Sequence, residues 1–400
     1  MPLANGAPRR PEFDWLRVVA LGLLIVFHGA VGFSENWHWH VVDPHNSPAL
    51  DAYLTFQMRW RVTLVFVVSG AALMLALGAR SPIEVARERV LRLLVPLVFG
   101  ILVIVPPQIW LERLAHGQFN GSYLAFLGQL FNGIYPNGNL SWHHLWFLPY
   151  VLVLSLLLAG PFAWARSPAG RRALDPTLQA VARRHAYWLL VLPLMGAEAL
   201  LHLQQGDAHT FIYDSHGWAV FVLLMLLGGA IALWSELLAA IQRGRWAAIA
   251  VGIAAFAVLE LMGVRDGIDP AKFQGLKALA WCMASAANML AWVLAAIGFI
   301  TRWLTRGSAV LGYLSEAALP VYILHQTITI AVVYQLRGTG WPLAVEMTIT
   351  IAASLLGSFA IYEFAIRHSP WLRPLFGMKV AGASITNRWA APSSSGRQPS

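Results

Sequence analysis

One cysteine, Cys282, stands among 400 residues. A lone thiol excludes an internal disulfide and any cysteine-based metal cluster, and its apolar surroundings suit plain packing. Charge is scarce too: 12% of the chain is Asp, Glu, Lys or Arg, against 58% hydrophobic residues. That balance is far too apolar for an ordinary soluble protein. No internal repeat is visible, which weakens an inverted-repeat transporter as a reading. The N-terminus lacks a small-residue cleavage site, and its apolar run is long and contains Arg17. It is therefore expected to be a retained first span and not a removed signal.

What the chain has instead is apolar sequence in runs near the ~17-residue minimum for crossing a bilayer, or longer. Spans are expected near 14–34, 54–78, 90–111, 143–165, 187–202, 217–240, 247–263, 276–300, 314–336 and 342–364, with 187–202 and 247–263 the shortest. Eighteen Trp and ten Tyr suit interfacial aromatic belts. The expected fold class is all-α: a polytopic membrane protein of about ten transmembrane helices. Residues 1–13 form an arm, 14–366 the membrane unit and 367–400 a tail, small, polar and disordered after about 380.

Ten spans place both ends on one side, and charge says which. Arg9 and Arg10, the 80–92 loop with Arg80, Arg87, Arg89 and Arg92, then Arg166, Arg171, Arg172, Arg183 and Arg184, and the Arg243, Arg302 and Arg373 regions all fall on that side. The opposite loops hold little beyond Arg113, Arg265, Lys272 and Arg337. By the positive-inside rule both termini are cytoplasmic. The net charge of +9 thus orients the protein and needs no nucleic-acid partner.

Arg17 and His28 lie eleven positions apart in the first apolar run. Eleven helical residues advance ~16 Å and return to within ~20° of the same face. Ionisable groups at such depth mark a pathway or a reaction centre. Neutral imidazole is suited to take a proton near neutral pH, while a packing histidine is the plainer alternative. Arg17 can likewise snorkel to the interface or pair with Asp14.

Arg89 and Arg92, at i and i+3, share a face at the cytoplasmic start of the third span, and guanidinium pairs hold phosphates well. Taken alone, the pair is better explained as a topogenic basic loop. Arg61 lies inside the second span at a depth near that of His28. It calls for an anion, a developing oxyanion or a carbonyl partner. The outer loops are rich in aromatic and histidine residues: Trp37-His38-Trp39-His40, His45, and Trp142-His143-His144-Leu145-Trp146. These suit interface anchoring or stacking against sugar rings. His-x-His can bind zinc, but no cysteine or ordered acidic ligand is near in sequence, so no metal is expected. His325 falls mid-span in Val321-Tyr322-Ile323-Leu324-His325 and can face the same cavity.

Arg17-x10-His28, Arg89-x-x-Arg92, the Phe66-Val67-Val68-Ser69-Gly70 segment and the Tyr322/His325 segment together resemble the integral-membrane acyltransferase family three. Phe13-Asp14-Trp15-Leu16-Arg17, Phe27-His28, Trp37-His38, Arg61 and His144 to Leu148 are most similar to its glucan biosynthesis protein C branch, although Val67-Val68 stand where bulkier aromatics are common. The resemblance implies a bacterial inner-membrane O-acyltransferase moving an acyl group, succinyl in that branch, from cytoplasmic acyl-CoA to a periplasmic glucan hydroxyl. Acyl-CoA is then a donor substrate, with no permanently bound cofactor. Arg17, Arg89 and Arg92 would hold its phosphates, with His28 and Arg61 catalytic. Trp37, His38, His144, Trp146, Tyr322 and His325 would line the substrate path. Whether His28 acts as base or carries the acyl group stays open. The expected partners are donor, glycan acceptor, bilayer and glucan-biosynthesis proteins. The alternative is a transporter or flippase that makes no bond.

Overall fold

The computed structural model describes residues 10–37, 39–78, 80–202, 211–264 and 272–379. Among these every long element is a helix. In chain order they are α1 Pro11–Val31, α2 Pro48–Met58, α3 Arg61–Ala76, α4 Pro82–Phe99, α5 Pro106–Ala115, α6 Tyr123–Leu127, α7 Phe147–Arg166, α8 Pro168–Arg183 and α9 Val191–Ala197, followed by α10 Ser215–Leu233, α11 Ser235–Arg243, α12 Arg245–Leu261, α13 Gly275–Trp303, α14 Ala309–Leu336, α15 Leu343–Ile361 and α16 Leu372–Leu375. Backbone polar groups have no water partner in a bilayer, so a helix, which satisfies its own, is the natural spanning form.

Among the described residues eight helical stretches are long and apolar enough to cross a membrane; with the α11–α12 pair, bent by 61°, there are up to nine. The expected span at 187–202 is a shorter apolar helix, Ala186–Leu200. The ten apolar runs in the sequence therefore divide into eight full spans, one bent pair and one short helix. Two boundaries differ from expectation for local reasons. The run expected at 217–240 stops at Leu233, because Trp234 is extended (φ −111°, ψ 100°) and its indole donates to Asp175 at 2.7 Å. The second span begins at Pro48 and is interrupted at Arg59 and Trp60, so Arg61 opens a fresh helix. Of the tail, residues 367–379 fold against the bundle: buried Arg373 pairs with Glu316 at 3.2 Å. Arg9, Arg265 and the segment after 380 fall outside the described residues.

Two helix contacts fix the frame around the polar side chains of the bundle. α1 and α14 run parallel, clipped at two levels. Arg17 Nη1 donates to Ser315 Oγ at 2.9 Å near their starts, and His28 meets His325 near the other end. α3 and α10 touch at the backbone. A Cβ on Gly70 would lie 2.0 Å from Met225 O, and one on Gly228 would lie 1.9 Å from Val67 O. The Ser69-Gly70 motif thus includes a close-packing glycine of the small-residue kind that membrane helices use.

Gly70→Ala is expected to lower thermal stability in detergent, by about 1–3 kcal/mol or more, because backbone atoms must move apart. Gly22→Ala is the matched control: no atom lies within 4 Å of its Cβ position, and a helical Gly→Ala change gains up to ~1 kcal/mol. Equal melting of the two variants would refute the close approach.

Candidate active site

A polar layer crosses the bundle at the level of His28. His325 is completely buried, whereas His28 keeps part of its surface accessible. His325 Nδ1 lies 2.6 Å from the Tyr322 carbonyl and His28 Nδ1 lies 2.7 Å from His325 Nε2. A carbonyl can only accept, so His325 Nδ1 carries the hydrogen. In the neutral ring Nε2 is then bare and accepts from His28 Nδ1–H. The chain of donors leaves His28 Nε2 with a free lone pair. The carbonyl of His325 is held in turn by the hydroxyls of Thr329 at 2.8 Å and Ser354 at 3.1 Å.

His144 meets His325 edge-on, 5.3 Å between ring centroids. Its Nε2 donates to the Ile323 carbonyl at 3.1 Å, and Gln108 Nε2 lies 3.5 Å from its Nδ1. Gln108 also reaches Thr327 at 2.7 Å, and Gln326 reaches Gln108 at 3.3 Å. Local sequence explains why Gln108 and Thr327 meet. Pro106 and Pro107 lack N–H groups, and the wider π turn Gly100–Ile104 precedes them. The Gln108 N–H bonds the Val105 carbonyl at 2.9 Å rather than the carbonyl four residues back, so the Ile104 carbonyl accepts from Thr327 Oγ1 at 2.8 Å. Tyr322 donates its hydroxyl to the His144 carbonyl.

Arg61 sits on the other side of α1. Its guanidinium lies 4.1 Å from the centre of the Phe27 ring, beside His28. The side chain is 3% exposed, its Nε is buried without an acceptor, and it has no ion pair among the described residues. A buried, unpaired cation is costly and suits an anion. Aromatic residues from the loop after α1 cover this level. Trp37 packs edge-on to Phe27 at 5.7 Å, and Trp39 stacks on His28 at 6.4 Å with 14° between planes.

At the opposite end of the bundle lies a group of cations. Glu88 gathers Arg80, Arg92 (3.3 Å) and Lys379 (3.6 Å), and Arg92 Nε also donates to the Gly377 carbonyl at 2.8 Å. Arg89 makes no hydrogen bond or ion pair among the described residues; Arg17, Arg80 and Arg92 lie around it, with the Glu88 carboxylate as the one opposing charge among the groups that act on it. Arg17 is shared between Asp14 at 3.3 Å and Ser315. The two arginines of Arg-x-x-Arg are therefore unequal: Arg92 is committed to the fold and Arg89 is not.

The structure therefore brings His28, His325, His144 and Tyr322 together, with Arg61 and Trp37 alongside, and gathers Arg17, Arg89 and Arg92 at the far end. Trp146 goes elsewhere, stacking on Phe221 at 6.1 Å and meeting Tyr150 at 5.7 Å. His38 lies outside the described residues. Sequence reasoning missed Gln108, Gln326 and Thr329, polar positions inside apolar helices whose depth was the available signal. It also missed Glu112. The carboxylate of Glu112 accepts from His40 Nδ1 at 2.6 Å and from the Tyr135 hydroxyl at 2.9 Å. Burial, followed by the Glu112 charge, pushes the Tyr135 hydroxyl up to about 12, so it stays a donor.

The family follows from the whole chain. The protein belongs to the acyltransferase-three family, whose model, described as an acyltransferase domain, matches residues 10–363. It is a membrane acyltransferase. Neither a curated protein nor a solved structure matches the chain.

His28→Ala should reduce acyl transfer by about 10²–10⁴-fold, the usual contribution of a positioned acid–base group. His325→Leu should show part of that deficit, because the base stays but its Nδ1–H loses its acceptor. His325→Asn, which restores an acceptor, should lie nearer the wild type. Turnover of detergent-purified variants checks the order; wild-type rates in His28→Ala would remove the pair from the reaction.

Proposed function

We propose that the protein transfers an acyl group, succinyl being the best fit, from cytoplasmic acyl-CoA to a hydroxyl of a periplasmic glycan or glucan across the bacterial inner membrane. The observation that carries this reading is the free lone pair of His28 Nε2, set by the His325 relay and lying beside an unpaired buried arginine. The acceptor O–H gives its proton to His28 Nε2 as its oxygen attacks the thioester carbonyl. The C=O electrons move onto oxygen, then re-form the carbonyl as the C–S bond breaks. The departing thiolate takes the proton from the imidazolium, and the histidine returns to its starting state.

Arg61 serves this reaction in one of two ways, by stabilising the oxyanion or by holding the distal carboxylate of a succinyl group. We favour the second, since a permanently charged guanidinium at this depth needs a full anion to offset its burial. Arg89, aided by Arg17 and Arg92, holds the phosphates of the donor. Trp37, Trp39, His144 and Tyr322 border the acceptor, and Trp37 and Trp39 offer flat faces to a sugar ring.

Two assays test this reading. Mass spectrometry of periplasmic glycans from cells with and without the protein should show a succinyl mass difference, and an acetyl difference would overturn the donor. With purified protein, Arg61→Gln should depress succinyl transfer more than acetyl transfer; equal losses would assign Arg61 to the oxyanion or the fold. A lost charge-assisted bond costs about 1.5–3 kcal/mol, so Arg89→Gln should raise the KM for acyl-CoA by about tenfold or more. Arg92→Gln should raise it less and lower thermal stability instead. An unchanged donor KM in Arg89→Gln would leave this arginine as a topology signal.

A further inference from the structure

Beside the polar layer, at the same end of the bundle, three side chains from distant parts of the chain meet. His40 comes from the loop after α1, Glu112 from the last turn of α5 and His143 from the residues leading into α7. One ligand atom from each lies within 4.8 Å of the other two. Glu112 Oε2 is 2.6 Å from His40 Nδ1 and 3.7 Å from His143 Nε2. The side chains of Glu112 and His143 are 7% and 1% exposed.

The second of those distances is the informative one. His143 Nε2 is buried and has no hydrogen-bond partner among the described residues. At 3.7 Å it is too far from the carboxylate for a direct hydrogen bond, yet two metal–ligand bonds of about 2.0–2.2 Å span that gap. Its other nitrogen, Nδ1, lies 2.8 Å from Ser141 Oγ, the kind of outer contact that fixes the tautomer and angle of a ligating imidazole. His143 also holds a left-handed backbone conformation, φ 40°, which is unfavourable for a non-glycine residue. Tyr135 plays the matching part for Glu112, holding Oε1 at 2.9 Å and leaving Oε2 to face the histidines.

We infer that His40, Glu112 and His143 form a binding site for a divalent transition-metal ion, zinc above all. Two imidazoles and one carboxylate are a known zinc donor set, and they leave a fourth position for water. Nitrogen-rich ligation disfavours magnesium and calcium, which take oxygen. The two imidazoles stack, 4.2 Å apart and 15° from parallel. Coordination turns each ring about χ2, a soft torsion for histidine, until the lone pairs converge near Oε2. The hydrogen on His40 Nδ1 moves to Nε2 as the metal takes its place, so the imidazole stays neutral.

Such an ion cross-links three segments next to the histidine pair. His40 follows Trp39, which stacks on His28, and His143 precedes His144, which abuts His325. The metal therefore sets the roof over that pair, and it does so whatever the acyl donor or acceptor is.

The test uses the full chain purified in detergent without chelator. Elemental analysis should find about one zinc per chain. After stripping with a chelator, titration with zinc chloride should restore one saturable site and raise the melting temperature, while magnesium chloride should do neither. Glu112→Gln preserves side-chain shape and removes the charge; it and His143→Asn should weaken zinc binding by more than the about 10–100-fold that loss of an outer-shell partner costs. A stripped wild type that neither binds zinc nor gains melting temperature overturns the inference, and means that a proton occupies the site. Wild-type zinc affinity in Glu112→Gln overturns it as well, marking the metal as adventitious. If the variants fail to fold, the wild-type titration decides alone.

Discussion

Inside a bilayer no water stands ready to satisfy a polar group, so each buried donor and acceptor must find its partner within the protein. The contact between α1 and α14 is where this constraint binds hardest. His325 is completely enclosed; its Nδ1–H must donate, and the Tyr322 carbonyl in the same helix accepts. That leaves Nε2 for His28, whose other nitrogen is then left bare by elimination. Which nitrogen of His28 stays bare is thus decided by a backbone carbonyl two hydrogen bonds away. Arg17 and Ser315, at the other end of the same two helices, hold their register. A slip of one residue would turn His28 by about 100°, and the relay would break.

The arginines divide by the same accounting. Arg92, Arg373 and Arg166 have acceptors supplied by the fold: the Gly377 carbonyl, Glu316 and the Met74 carbonyl. Among the described residues Arg61, which is buried, and Arg89, which is half-buried, make no such bond. A cation that has its acceptors adds to the fold, whereas a buried cation without them costs stability until an anion arrives. Arg89 lies at the basic end and Arg61 at the level of His28. On the proposed reading Arg89 meets the phosphates of the donor and Arg61 a distal carboxylate, which is the physical reason for favouring succinyl over acetyl there.

Sequence made the spans and the shared face of Arg17 and His28 readable, because both rest on local helical periodicity. It marked His144, Tyr322 and His325 as residues of interest but not their pairing, since nothing local says that His28 meets a ring 297 positions away. The Glu112 cluster was illegible for the same reason. His40 and His143 were visible as histidine-rich loops, but their acidic partner lies at the end of an apolar helix and is joined to them only by tertiary folding. Boundaries failed where one residue departs from helical geometry, as at Trp60 and Trp234. The inequality of Arg89 and Arg92 was also out of reach: it depends on Gly377, 285 positions away.

The aromatic roof gives a reason why such a site would transfer an acyl group to a sugar and not to water. A thioester beside a free imidazole is open to hydrolysis unless water is kept from the base. Trp39 lies nearly parallel to the His28 ring, and Trp37 covers Phe27 beneath Arg61. Two indoles at this level leave flat apolar faces where water would otherwise collect, and a sugar ring can stack on such faces while presenting one hydroxyl edge-on. On the proposed reading, selectivity for a glycan over water would come from the same contacts that exclude solvent. The loop that carries both tryptophans also carries His40, so whatever anchors His40 to Glu112 and His143 governs how well that roof closes.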